Sequence, residues 1–280
     1  MPELGYINGL TTSLDEAKIA ITDAGFRLGY GIFETMRGYG GHLFRLAAHL
    51  NRLESGARFL RFDIDSGEVG AVTARMLAES GLAQARVRIV ITGGQGGKPS
   101  VVVTVERYLP PLEADYHCGI KAIIASVRRF ARSPIYRYKT LNQIENTLAR
   151  EEAESRGAVE AVLLNELDQV AETNRSNIFI VKDGALKTPG LSAGILPGVT
   201  RAAVLDLARA LGIAAIEGDF GSSDLQNADE VFITSSLVEV MPITLIDGAI
   251  IGDGRIGPVT AQVRRAYREL AAAETDPSTR

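Results

Sequence analysis

Tryptophan is absent from this 280-residue chain, cysteine occurs once and histidine three times. A lone thiol, Cys118, cannot close an internal disulfide, so a disulfide-stapled scaffold is excluded and a reducing compartment, the cytoplasm, is the expected setting. His42, His49 and His117 have no metal-ligand spacing, and no metal is expected. No apolar run approaches the length of a membrane span, and residues 1–10 lack a basic-then-apolar leader pattern, so no membrane partner is expected. An excess of positive charge is missing too. The formal net charge is −4, which leaves no footprint for nucleic acid. Lysine is scarce: six residues stand against 24 arginines. Any chemistry that needs a primary amine must draw on Lys18, Lys98, Lys121, Lys139, Lys182 or Lys187.

What is present is an ordinary globular composition, 46% hydrophobic and 23% charged, in a chain long enough for two modest α/β domains or one large one. Strand patterns cover 4–9, 32–37, 87–92, 101–108 and 119–128, with a glycine-punctuated loop over 23–31. Helical spacing covers 46–59 (Leu46, Leu50, Leu53, Ala57) and 66–80, which stops at Gly81. The Pro110-Pro111 break suggests an N-terminal domain over 1–117, then a linker and first strand over 118–132, then a C-terminal domain over 133–280. In that second half a helix is predicted over 142–156 with the stripe Leu141, Ile144, Leu148. Strands follow at 160–165, 177–181 and 185–188, the last two joined by the hairpin signal Asp183-Gly184. A helix over 199–211, a strand over 230–234, a helix over 258–273 and a frayed tail over 274–280 complete the chain.

Lys139 stands out among the six lysines, in Tyr136-Arg137-Tyr138-Lys139-Thr140-Leu141-Asn142, where coil is predicted to become helix. Thr140 and Gln143 have the spacing of a capping box. The positive end of a helix dipole and nearby Arg137 would both disfavour the ammonium form, and a lysine so tuned forms Schiff bases. The same local pattern also suits a solvated lysine at a helix start. Glu172, in Val170-Ala171-Glu172-Thr173-Asn174-Arg175-Ser176-Asn177, is a candidate acid for a protonated ring nitrogen or a plain loop glutamate. Leu196-Pro197-Gly198-Val199-Thr200-Arg201 opens a helix, where free amides make an anion seat, and Thr234-Ser235-Ser236 offers hydroxyls after a strand. Arg52 lies one residue from the apolar stripe of its helix. Gly93 to Lys98 fails the phosphate-loop spacing, since Thr92 and Pro99 stand at the wrong places, and no Gly-x-Ser-x-Gly elbow is present.

Taken together these segments resemble the class IV aminotransferases, the fold type IV pyridoxal 5′-phosphate (PLP) enzymes. That family includes branched-chain aminotransferases, D-amino acid transaminases and 4-amino-4-deoxychorismate lyases. The stretch from Glu172 through Asn177-Ile178-Phe179, Leu186-Lys187-Thr188 and Leu196 to Arg201 is similar to the family signature in order and spacing, with Asn174 where a small residue is usual. The resemblance implies two α/β domains, the second a pseudo-barrel, with the cofactor in the cleft between them, and a homodimer. It implies Lys139 as Schiff-base lysine and proton shuttle, and Glu172 at the pyridine nitrogen. It places Arg52, Val199, Thr200 and Ser236 on the phosphate and Leu196 against the ring. The substrates would be small amino and 2-keto acids.

Phe33, Arg37, Arg88 and Leu237 are the substrate candidates. Phe33-Glu34 and Arg37 resemble the branched-chain enzymes, although the tyrosine those enzymes carry two residues before Arg88 is Arg86 here. The D-amino acid enzymes place an arginine where this chain has Gly93, so that carboxylate trap is missing, while a D-amino acid held another way stays open beside a branched-chain-like substrate. Two alternatives remain on sequence alone: a lyase that releases pyruvate and 4-aminobenzoate, and a non-catalytic binding paralogue.

Overall fold

The structure, a computed structural model, describes residues 3–276. It divides into two compact units, and the division is not a single cut in the sequence. Unit 1 comprises the described chain up to Pro110, Tyr138–Asn142 and the chain from Leu270; unit 2 comprises Pro111–Arg137 and Gln143–Glu269.

Unit 1 is built on a six-stranded antiparallel sheet. Its strands are β1 (Leu4–Ile7), β2 (Leu10–Ser13), β3 (Gly31–Tyr39), β4 (His42–Leu43), β5 (Gln84–Gln95) and β6 (Lys98–Arg107), in the order β2-β1-β6-β5-β3-β4. Three helices accompany it: α1 (Ala24–Leu28), α2 (Leu46–Leu60) and α3 (Ser66–Ser80). The helix predicted over 66–80 has those bounds, because Asp65 caps it by accepting from the Gly67 and Glu68 amides and Gly81 ends it at φ 63°. Period-2 alternation sends Ile32 and Met36 to one face of β3, where they join Val87, Ile89, Leu53 and Met76 in a core with α2 and α3. The stretch read as loop over 23–31 holds the short helix α1. Asp23 caps its start and Gly29, at φ 64°, its end, signals hidden among the glycines.

Unit 2 begins with α4 (Glu113–Cys118) and β7 (Ile120–Arg129), then a 3₁₀ turn (Pro134–Arg137), α5 (Ile144–Ser155), β8 (Glu160–Asn165), β9 (Val170–Thr173), β10 (Asn177–Lys182) and β11 (Ala185–Thr188). It continues with α6 (Val199–Ala210), β12 (Ala215–Glu217), α7 (Ser222–Gln226), β13 (Glu230–Ser235), β14 (Glu239–Ile246), β15 (Ala249–Ile250) and the start of α8 (Pro258–Thr275). The sheet order is β12-β11-β10-β13-β14-β7-β8-β9, with β15 on β14, and the sheet curls into a half-barrel. β7 lies parallel to both β14 and β8. The β10–β11 hairpin turns at Asp183 and Gly184, both at positive φ, as a two-residue loop of this kind requires.

Two expectations change here. The stripe Leu141, Ile144, Leu148 is not the buried face of α5. Ile144 is 68% and Leu148 48% exposed, and the helix instead buries Ala149 and Ala153 with Ile123 and Leu163, small side chains that let it lie close to β7 and β8. The C-terminal helix runs to Thr275, past its expected end; the rest of the tail, 277–280, lies outside the described residues. No helix among the described residues is long and apolar enough to cross a membrane.

Candidate active site

In unit 1 the segment Tyr138–Asn142 runs alongside the start of β3. The Phe33 amide donates to the Lys139 carbonyl (2.8 Å), the Leu141 amide donates to the Gly31 carbonyl (2.9 Å), and Thr140 bridges to Ile32. Gly31 makes this approach possible, since a Cβ there would lie 2.6 Å from Leu141 Cδ1 and 2.7 Å from the Ile91 carbonyl oxygen. Tyr138 is stacked on Phe59 at 4.2 Å between centroids. This pairing overturns the capping box expected at Thr140 and Gln143. α5 starts only at Ile144, with Gln143 as its N-cap, so Lys139 sits in an extended bridge and not at a helix start. Inter-strand pairing has won over a local capping signal.

The bridge sets Lys139 Nζ over the Phe33 ring, 4.6 Å from its centroid, and the Arg88 guanidinium lies over the same ring at 4.2 Å. The Arg88 side chain has no hydrogen bond or ion pair among the described residues. Burial and the neighbouring Arg86 charge both push its pKa down, against the pull of Glu106. Arg37 is only 7% exposed, so it is not a surface charge. Its Nε and Nη2 donate to Gln84 Oε1, and its guanidinium lies over Tyr39 and Tyr108. On the opposite face of β3, Glu34 is fully buried and takes Arg52 Nε and Nη2, both at 2.7 Å, and His49 Nδ1 at 2.8 Å. Burial holds the His49 pKa down, and the charges of Arg52 and Lys139 add to that effect against the pull of Glu34. His49 is therefore neutral near pH 7, and its Nδ1 must carry the proton it gives to the carboxylate.

In unit 2, Glu172 lies on β9 at 8% exposure. One of its oxygens pairs with Arg129 Nη1, and the other accepts from Asn177 Nδ2 and from the Leu196 amide, each at 3.1 Å. Asn177 also donates to the Leu196 carbonyl at 3.0 Å. Gly198 follows after Pro197, and a Cβ there would fall 1.9 Å from Asn177 Oδ1, so only glycine leaves Asn177 in place. Gly198 is also the N-cap of α6 and gives no side-chain cap. The first amides of α6, next to the buried Val199 and Thr200, are thus left to an anion or solvent. Asn177 pairs across the sheet with Thr234, whose buried hydroxyl has no hydrogen-bond partner among the described residues. Ser236 and Leu237 occupy the turn just after β13. Among the described residues no group of His, Cys, Asp or Glu could hold a metal ion.

The family model for class IV amino-transferases matches residues 31–246. The chain belongs to that family. It is 35% identical over 277 residues to a putative branched-chain-amino-acid aminotransferase of Methanocaldococcus jannaschii, covering 95% of each chain. It is 33% identical over 276 residues to a D-alanine aminotransferase of Listeria monocytogenes, covering 94% of each. Among solved structures, a T.th. branched-chain amino acid aminotransferase with pyridoxamine 5′-phosphate superposes with a TM-score of 0.91 at 28% identity, over 99% of this chain and 96% of that one. The fold is therefore fold type IV, and the chain is an enzyme of the aminotransferase class.

Within this aminotransferase, unit 1 brings Lys139, Phe33 and Arg88 together and leaves Arg37 fixed by Gln84. Unit 2 brings Glu172, Leu196, the start of α6 and the end of β13 together around Asn177. Three residues of these clusters had no assigned role in the sequence. Arg129 follows another arginine at the end of a β-branched strand, and nothing local marks it. Asn177 was visible only as part of a signature. Glu34 carried a usable signal: a carboxylate in register with Ile32 and Met36 on the core face of β3 must find a buried partner.

Proposed function

We propose that this aminotransferase carries PLP on Lys139 and moves an amino group from a small, branched-chain-like L-amino acid to a 2-keto acid. The observation that carries the reading is the pair of cations on Phe33, an amine and an unpaired guanidinium on one ring. The residues fit the cofactor: a buried carboxylate whose three protein donors still leave acceptor capacity for a ring N–H, and a helix start and an orphaned hydroxyl suited to a phosphate.

When bound, PLP supplies an electrophilic carbon and an electron-withdrawing ring that makes the substrate α-proton removable. Lys139 would hold the cofactor through its amine, and the same amine would take a proton from the substrate α-carbon and give it back. Glu172 keeps the ring nitrogen protonated. Arg52, oriented by Glu34, serves the phosphate with the Val199 and Thr200 amides and Ser236, while Leu196 packs on the ring. Arg88 takes the substrate carboxylate, with Phe33 and Leu237 as apolar wall. A homodimer in the cytoplasm is the setting of this reading.

The preference for L-substrates rests on position 93. A Cβ on Gly93 would lie 2.5 Å from Tyr30 Cδ1 and 3.1 Å from Ala24 Cβ, so this backbone leaves no room for the arginine that the D-amino acid enzymes are expected to place there. The deciding experiment is a half-reaction screen. Purified yellow protein is mixed separately with L-leucine, L-valine, D-alanine and aminodeoxychorismate, and loss of the visible band is followed. Bleaching by the branched L-amino acids supports the reading. Bleaching by D-alanine alone reverses the stereochemistry, and release of pyruvate from aminodeoxychorismate makes the enzyme a lyase. A further expectation concerns Arg88. R88M removes a charged hydrogen-bond donor to a carboxylate, so KM for both substrates should rise about 10- to 100-fold. An unchanged KM in steady-state kinetics removes Arg88 from the site.

A further inference from the structure

Arg129 is 2% exposed at the end of β7, and its guanidinium turns inward. Nη1 pairs with Glu172 and lies 3.5 Å from the Gly194 carbonyl oxygen, Nη2 donates to Asn146 Oδ1 at 2.6 Å, and the guanidinium carbon lies 4.6 Å from the Tyr136 ring centroid. Asn146 is held in turn by Gln143, to whose Oε1 it donates at 2.9 Å. The Tyr136 hydroxyl donates to Glu145 at 2.6 and 2.7 Å, and burial together with that carboxylate pushes the phenol up to about 12. Nε is buried without a partner among the described residues. A buried ion pair is a poor way to gain stability, since an apolar pair of the same volume does as well or better. An arginine sunk this deep, with one donor orphaned, suggests a task beyond packing.

We infer that Arg129 is the positioning residue for Glu172, fixing the carboxylate in place and pairing with it so that the ring proton of the cofactor stays on nitrogen. The inference rests on the reading above that Glu172 faces that nitrogen. Glu172 has only two oxygens, and its three protein donors approach from Arg129, Asn177 and the Leu196 amide. Of these only Arg129 carries charge. The other ionisable groups of the network are Tyr136 and Glu145, which are bonded to each other. A hydrogen-bonded amide and a backbone N–H can aim the carboxylate but cannot balance its charge. Without the guanidinium, a proton shared between carboxylate and ring moves toward the carboxylate, and the ring loses its power as an electron sink.

The test reads the ring directly. Apo-protein of the wild type and of R129M, R129K and E172Q is reconstituted with PLP labelled with nitrogen-15 in the ring, and the ring nitrogen shift is followed by NMR against pH. The dissociation constant for PLP is measured in parallel by absorbance titration. In R129M the ring should lose its proton at least about one pH unit below the wild type, a tenfold change in the protonation ratio. R129K, which keeps the charge but not the fork of hydrogen bonds, should shift the same way by less. E172Q should shift furthest. If both Arg129 variants titrate with the wild type while E172Q is displaced, the inference fails and the assignment of Glu172 stands. If E172Q also titrates with the wild type, or none of the proteins binds PLP, the underlying reading fails. Should R129M not fold, R129K decides alone: a displaced titration supports the role and a coincident one overturns it.

Discussion

Replacing Lys139 by alanine should lower the half-reaction rate by about 10³-fold, the scale of a lost general acid–base group, while leaving the fold intact. The fold should survive because this segment is pinned by its backbone. The Phe33 amide donates to the carbonyl of residue 139, and the Leu141 amide donates to the Gly31 carbonyl; neither bond needs the side chain. The rate should fall because no other lysine is placed to replace it. Lys182 is tied to Asp229 and the Asn227 carbonyl, Lys187 lies over Phe220, and Lys121 is exposed on β7. Single-turnover mixing of the variant with amino acid measures the loss, and borohydride treatment followed by peptide mapping measures the covalent link. In the wild type the cofactor should be fixed to the peptide that contains Lys139, and in K139A to none. A variant that turns over at the native rate would remove Lys139 from the reaction. Added methylamine should restore part of the rate, since a small amine can enter the space left over Phe33.

Lys139 could be singled out as the candidate because lysine is so scarce, but its setting could not be read. Thr140 and Gln143 read as a capping box, yet the chain there is held by β3, more than a hundred residues earlier in the sequence, through a close approach that depends on Gly31. The strand and helix periods were readable wherever one face is buried against its own neighbours, as in α3, whose Asp65 and Gly81 ends are both encoded locally. They misled in α5, where alanines and not the larger residues form the buried face. The acid at position 172 could be found from its signature, but its anchor could not. Arg129 and Glu172 stand 43 residues apart, and only the parallel pairing of β7 with β8 and the antiparallel pairing of β8 with β9 bring them together. Cross-sheet partners of this kind are set by long-range register, which a local pattern does not carry.

Glu34 offers the largest expected effect on stability, with a sign that depends on pH. Its carboxylate is fully buried, and burial alone would raise its pKa. The Arg52 charge and hydrogen bond, joined by His49, outweigh burial and bring it from 4.5 to about 2. A carboxyl group with a lowered folded-state pKa contributes stability above its unfolded value, here 4.5, and loses that contribution as pH falls toward 2. The size of the shift corresponds to roughly 3 kcal/mol at neutral pH. E34A should cost about 3–5 kcal/mol at pH 7, because it leaves the Arg52 guanidinium, with only 12% of its side chain exposed, without a counter-charge. His49 adds nothing to offset this near neutrality, since burial keeps it neutral. Urea unfolding followed by far-UV circular dichroism should show a wide gap between wild type and E34A at pH 7. The gap should narrow steadily below pH 4.5 as the wild type loses what the variant never had. The double variant E34A/R52M, with both charges gone, should recover part of the loss at pH 7, as expected when the damage lies in an unbalanced buried charge. A gap that stays constant from pH 7 to pH 2.5, or a double variant no more stable than E34A, would show that Glu34 acts through packing and not through its charge.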